Sequence, residues 1–300
     1  MGFQQGFRVN TNTSSLDTYR NYSASQAGME RNIERLSSGL RINKAADDSA
    51  GLSISNRMDN QVRGLQQANR NAQQGNNLLQ TAEGGLNEIS SILGRMRELA
   101  VQAASDTSAA TDRDSLNLEV GQLKNEITRI AQSTEYNGLT LLTGSYDGAT
   151  ATEALTLQIG ADNAATNQLE IQLGDFQVNS ATFGKTDTVN TTAIDASSAT
   201  FLDVDTLSNA QATITNLDTM IDAVNNARGE IGASQNRLEF ASSNLMNSVQ
   251  NNAASMSTIR DADFAAEAAD LAKNQILVQS GTSMLAQANG LSQNVLALIR

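Results

Sequence analysis

Histidine, cysteine, proline and tryptophan are all missing from this 300-residue chain, and aromatic residues make up only 4% of it. Without histidine there is no ordinary general base, no imidazole metal ligand and no side chain that titrates unperturbed near neutral pH. Without cysteine there is neither a disulfide framework nor a thiolate metal site. Proline normally supplies about 5% of a chain; it breaks helix interiors and isomerises slowly. Its absence fits long unbroken helices in a chain that folds promptly. A core of Leu, Ile, Val, Met and Ala, poor in aromatics, suits thin helical layers. Positive charge is also scarce. Twenty Lys and Arg against 32 Asp and Glu leave a net charge of −12, which excludes the basic footprint that nucleic acid requires. Between Thr140 and Met220 ten acidic residues oppose Lys185 alone, a net of −9, so the excess lies mid-chain. No apolar run of about 18 residues exists, so no membrane-inserted helix is expected. The opening MGFQQGFRVNTNTSS lacks the pattern of a cleaved signal, which taken alone suggests a cytosolic protein.

What is present is helical periodicity. Leu277, Met284, Leu291 and Leu298 recur every seven residues, and Leu271, Val278 and Leu285 run beside them. A helix here carries a broad apolar stripe, with Val295 also on it. Near the other end Met29, Ile33, Leu36 and Leu40 step by four, three and four, with Tyr22 and Gln26 extending the rhythm backwards. The terminal helices can pair. Two readings remain for the apolar surface left over: it closes an ordinary bundle core, the commoner fate of such stripes, or it is reserved for other copies of the chain.

Between the ends, residues 1–12 are polar and amide-rich and are expected to be flexible in the isolated molecule. Asn43 to Gly51 is a turn-rich linker. A long series follows: Met58, Val62, Leu65, Asn69, Ala72, Asn76, Leu79, then Ala82, Leu86, Ile89, Leu93, Met96 and Ala100. After a break at Ser105 to Thr111, Leu116, Val120, Leu123, Ile127 and Ile130 predict an antiparallel partner helix. Tyr136-Asn137-Gly138-Leu139 signals a turn, and the period changes. Leu155, Leu157 and Ile159, then Leu169, Ile171 and Leu173, alternate as two strands of a hairpin, and Thr182 to Thr200 reads as an exposed tip. Helical rhythm resumes from Leu217 and runs into the C-terminal stretch.

The expected fold is therefore mainly α, a long antiparallel coiled-coil bundle with paired termini and a small β-hairpin region mid-chain. Its expected parts are residues 1–45 with 256–300 as an inner terminal coiled coil, 46–180 with 206–255 as a helical rod carrying the hairpins, and 181–205 as a short tip. Chemistry is hard to find. Asp47-Asp48 and Asp261/Asp263 are close carboxylates, but no calcium-loop spacing completes them, and helix capping is the simpler role. No nucleophile elbow, phosphate loop or dinucleotide fingerprint occurs. An enzyme is not expected, nor any cofactor or metal.

Several blocks, in order, resemble the terminal signatures of bacterial flagellins: ERLSSGLRIN at Glu34 to Asn43, DDSAG at Asp47 to Gly51, EGGLNEI at Glu83 to Ile89, RELAVQ at Arg97 to Gln102, SGTSMLAQAN at Ser280 to Asn289 and the final QNVLALIR. The resemblance covers roughly residues 5 to 145 and 210 to 300. It implies a self-assembling subunit of the extracellular flagellar filament used for swimming. On this reading the terminal stripes pack against neighbouring subunits and are largely disordered before assembly. It also implies type III export without a cleaved signal, which replaces the cytosolic expectation, and contacts with an export chaperone and with cap and junction proteins. Positions matching the face sensed by an innate immune receptor are Arg95, Leu99 and Glu119. The chain departs from the family in extra opening residues, in Ser292 where many members have proline, and in a middle too short for a separate outer domain. A hook-filament junction protein and a helical extracellular adhesin are the alternatives.

Overall fold

A computed structural model describes residues 12–146, 155–178, 183–184 and 202–298, with side chains up to Gly290. The flexible start expected for residues 1–11 lies outside the described residues, as does most of the expected tip. Five helices dominate: α1 (Thr13–Ser38), α2 (Ser49–Ala103), α3 (Ala110–Ser133), α4 (Leu207–Arg260) and α5 (Phe264–Leu298). Six short strands lie between α3 and α4: β1 (Glu135–Tyr136), β2 (Leu139–Thr140), β3 (Thr143–Tyr146), β4 (Leu155–Gln158), β5 (Gln168–Ile171) and β6 (Leu173–Asp175).

Every helix but α3 begins where a short polar side chain can satisfy the free N–H groups of the first turn. Asn12 accepts from the Ser15 N–H at 3.1 Å, and Asp48 from the Gly51 N–H at 2.9 Å. Thr206 does the same for Asn209, and Asp263 for Ala265. Asp112 reaches back to the Ala109 N–H at 3.2 Å. The carboxylates Asp48 and Asp263 are thus spent on capping. Helix α1 ends at Gly39, whose φ of 70° is the left-handed conformation that glycine adopts without strain. Asp261–Asp263 divides α4 from α5, a break that the apolar rhythm does not mark.

The chain divides into two compact units, one containing residues up to Gln61 and from Gln250, the other Val62–Val249. In the second unit the long series on α2 is buried from Val62 to Ala100 except at Asn69 and Asn76, which are half-buried. It packs with Val120 and Ile127 of α3 and with Leu217, Met220, Val224 and Ile231 of α4. Both neighbours run antiparallel to it. Arg95 meets Glu119 and the Arg113 guanidinium donates to the Ala103 carbonyl, while Arg97 meets Asp218 and Ser242 donates to Asn69.

Strands β1 and β2 flank Asn137 and Gly138, whose φ values of 52° and 79° make the tight turn that this dipeptide favours. Strands β4 and β5 pair antiparallel with Leu155 opposite Ile171 and Leu157 opposite Leu169. The expected second strand is split, however. Leu173 belongs to β6, which pairs with β3 through Tyr146. Phe183, Leu202 and Val204, inside the 181–205 span expected to be exposed, are fully buried. Phe183 meets Phe176 edge to face at 5.6 Å, a favourable aromatic geometry that removes both rings from water.

Candidate assembly interface

The first unit centres on α1 and α5, which lie antiparallel. Asn12 donates to the Ala288 carbonyl at 3.1 Å and Ser15 to Asn289 at 3.1 Å. Farther along, Tyr22 lies against Gly281 and Gly28 against Asn274, and Arg35 pairs with Glu267 at 3.7 Å. A Cβ at Gly28 would come within 3.0 Å of Asn274 Nδ2, so small residues let the helices approach. At the base, the Arg41 N–H donates to the Arg260 carbonyl at 2.7 Å and the Ala262 N–H to the Gly39 carbonyl at 3.0 Å. This main-chain clip joins the α1–α2 connection to the α4–α5 connection.

The seam between these helices is made largely of polar and small residues. On α1 it comprises Ser15, Thr18, Tyr22, Ser25, Gly28 and Asn32, with Met29 and Leu36 beside them; on α5, Leu271, Asn274, Val278, Gly281, Leu285 and Ala288. Asn32 is only 7% exposed, and its Nδ2 has no hydrogen-bond partner. Leaving such a donor unsatisfied costs about 1–3 kcal/mol.

The residues read from the sequence as packing positions fall on two faces. Met29, Leu36, Leu40, Leu271, Val278 and Leu285 are half-buried. Ile33, Leu277 and Met284 point into solvent, at 49%, 45% and 59% exposure. Ile33 therefore does not belong to the seam with α5, because the inward line runs through Asn32, one residue away. The side chains of Leu291, Val295 and Leu298 lie outside the described residues. Leu16, Tyr19, Phe264 and Ile276 add to the exposed apolar surface; Leu16 and Ile276 stand one residue off the chosen heptads, whereas Tyr19 and Phe264 continue them backwards.

Charged groups support the joints. Lys44 bonds Glu34 at 2.7 Å, and this carboxylate raises the lysine pKa. The Lys44 and Asn43 N–H groups donate to Asp47 at 3.0 and 3.2 Å and hold its carboxyl below the usual range. In the second unit Arg95 is exposed and contacts both Glu119 and Glu98, at 2.9 and 3.0 Å, which raise its pKa. Leu99 is 1% exposed. It belongs to the core, so of the three positions matched to the receptor face only Arg95 and Glu119 present themselves to solvent. Asn76 lines a hollow of about 340 Å³ with Gln73, Gln80, Gln235 and Glu239.

Among the described residues no helix is long and apolar enough to cross a membrane. Long helices, the first and last of them paired, and an outward apolar face define a helical structural protein with a surface for association. The bacterial flagellin N-terminal helical region matches residues 9–147, and the bacterial flagellin C-terminal helical region matches residues 214–299. The chain is 41% identical to the flagellin of Bacillus subtilis (strain 168), over 98% of this chain and 100% of that protein. It is 39% identical to flagellin FlaB2 of Treponema pallidum (strain Nichols) and 39% identical to the flagellar filament 33 kDa core protein of Treponema phagedenis. Both comparisons cover 97% of this chain and 99% of the relative. The chain belongs to the bacterial flagellin family. It is a structural subunit of the extracellular flagellar filament and not an enzyme.

Proposed function

We propose that α1 and α5 are the surface through which identical subunits grip one another, and that this contact grows the filament that turns flagellar rotation into swimming. The observation that carries the reading is the outward apolar set: Leu16, Tyr19 and Ile33 on α1, Ile276, Leu277 and Met284 on α5. An apolar patch held in water marks an interaction site, and copies joined by contacts that do not close form a fibre. Met29, Leu36, Leu40, Leu271, Val278 and Leu285 hold the pair itself, and by sequence spacing alone Leu291, Val295 and Leu298 are assigned to the same packing set. The division into an inner terminal part (1–45, 256–300), a helical rod (46–180, 206–255) and a tip (181–205) belongs to the same proposal. So do type III export, with an export chaperone, and contacts with cap and junction proteins. Arg95 and Glu119 form the exposed part of a face for an innate immune receptor.

Seeded growth of purified full-length protein, followed by electron microscopy, tests the assembly surface. Wild type is expected to lengthen the seeds, and Leu277→Asp to remain a monomer with unchanged helical content. A Leu277→Asp protein that elongates at the wild-type critical concentration refutes the interface. A wild type that adds to seed ends only once and then stops supports the hook-filament junction reading instead.

A further inference from the structure

In a chain without cysteine, sulfur redox chemistry rests on methionine alone. Of the eight methionines, Met96 and Met220 are fully buried and Met29, Met58 and Met256 are half-buried. Met246 and Met284 are open to solvent, at 60% and 59% exposure, and Met1 lies outside the described residues. Reaction with an oxidant needs access to the sulfur, so among the described methionines the exposed pair reacts first. The two differ in setting. Met246 is on α4 in the second unit, whereas Met284 stands one heptad after Leu277 on the outward face of α5.

We propose that Met284 is an oxidation site that governs assembly: conversion to its sulfoxide by a peroxide withholds the monomer from the filament. This rests on the interface reading above. The thioether sulfur donates its lone pair to one oxygen of hydrogen peroxide, the O–O bond breaks, an S–O bond forms, and the peroxide is reduced to water. The thioether is oxidised by two electrons to the sulfoxide. A flexible apolar side chain becomes a polar one at a position that must leave water when subunits join, while the fold of the monomer loses nothing, because the side chain is not in its core. Once Met284 is covered in the polymer the same reagent reaches it slowly. The modification therefore acts on free monomer and spares existing filament, and sulfoxide reductases, one for each epimer, reverse it.

Full-length monomer treated with hydrogen peroxide, mapped by peptide mass spectrometry and added to untreated seeds, provides the test. Forfeiting burial of one methionine side chain corresponds to a rise of roughly tenfold or more in critical concentration. Oxidised wild type is expected to show that rise and reductase treatment to reverse it. Oxidised Met284→Leu is expected to assemble like its untreated form, and oxidised Met246→Leu to fail like wild type. Wild type that carries the Met284 sulfoxide yet keeps its critical concentration overturns the inference, as does an oxidised Met284→Leu protein that fails as wild type does. Should Met284→Leu itself assemble poorly, reductase reversal on wild type decides: recovered growth supports the site only if restoration of Met284, and not of Met246, tracks the recovery. Untreated wild type that grows no filament refutes the interface reading instead, so the two failures are separate.

Discussion

Gly84 and Gly85, neighbours in the middle of α2, are predicted to respond differently to one added methyl group: the first gains stability and the second does not. A Cβ at Gly84 meets nothing within 4 Å. Alanine there removes the backbone-entropy cost of a helical glycine, a gain of about 1 kcal/mol. For a unit of this size, 1 kcal/mol shifts Tm by roughly 2–4 °C, so Gly84→Ala is expected to melt a few degrees higher. At Gly85 the same atom would sit 2.7 Å from Thr134 Oγ1 and 2.9 Å from Leu142 Cδ1. Neither neighbour yields easily. The Thr134 hydroxyl donates to the Ile130 carbonyl at 2.7 Å where α3 ends, and Leu142 is fully buried. Overpacking of this kind costs about 1–3 kcal/mol. Set against the same helical gain of about 1 kcal/mol, Gly85→Ala spans neutral to about 2 kcal/mol destabilised, a fall of up to about 8 °C. Thermal melts of full-length monomer, followed by circular dichroism at 222 nm, measure both. If Gly85→Ala melts higher by as much as Gly84→Ala, the close seating of α2 on Thr134 and Leu142 is wrong. A lower melting point for Gly84→Ala removes the open face assigned to that side of the helix.

Asp47 supplies a pH dependence. Its N–H partners lower its folded pKa below the ordinary 3.8, so its contribution is fully present above that value and is lost as pH falls through the depressed folded one. The Tm difference between wild type and Asp47→Asn should accordingly be largest at neutral pH and shrink below about pH 4; a constant difference down to pH 2 removes the carboxylate from the account. For the receptor face, Glu119→Ala is expected to leave Tm near the wild-type value, because exposed ion pairs contribute little, while lowering signalling by intact monomer. Unchanged signalling counts against that surface.

The second unit was legible wherever burial and sequence period coincide. The positions from Val62 to Ala100 that step by four and three line one buried face of α2, because a continuous hydrophobic core on one side imposes that spacing. The β4–β5 register followed from alternating Leu and Ile. The split at Gln172 was not legible: β6 pairs with β3, more than twenty residues upstream, and local alternation carries no information about so distant a partner. Phe183 was hidden for the opposite reason, a single aromatic inside a Ser/Thr-rich stretch. In the first unit, hydrophobicity drew attention to Ile33, Leu277 and Met284, whereas the line facing the partner helix runs through Ser25, Gly28, Asn32, Asn274 and Gly281. The apolar pattern spans both faces: Met29, Leu36, Leu271, Val278 and Leu285 are half-buried, and Ile33, Leu277 and Met284 stay in solvent. Leu99 was assigned by resemblance to a face, and only its coordinates place it inside.

The clip that joins Arg41 to Arg260 and Ala262 to Gly39 depends on backbone amides and carbonyls, so no exchange of side chains deletes its donors or acceptors, proline at Arg41 or Ala262 excepted. Loosening one connection unfastens the other in the same event. The α1–α2 and α4–α5 connections are thereby yoked: neither gives up these bonds without the other.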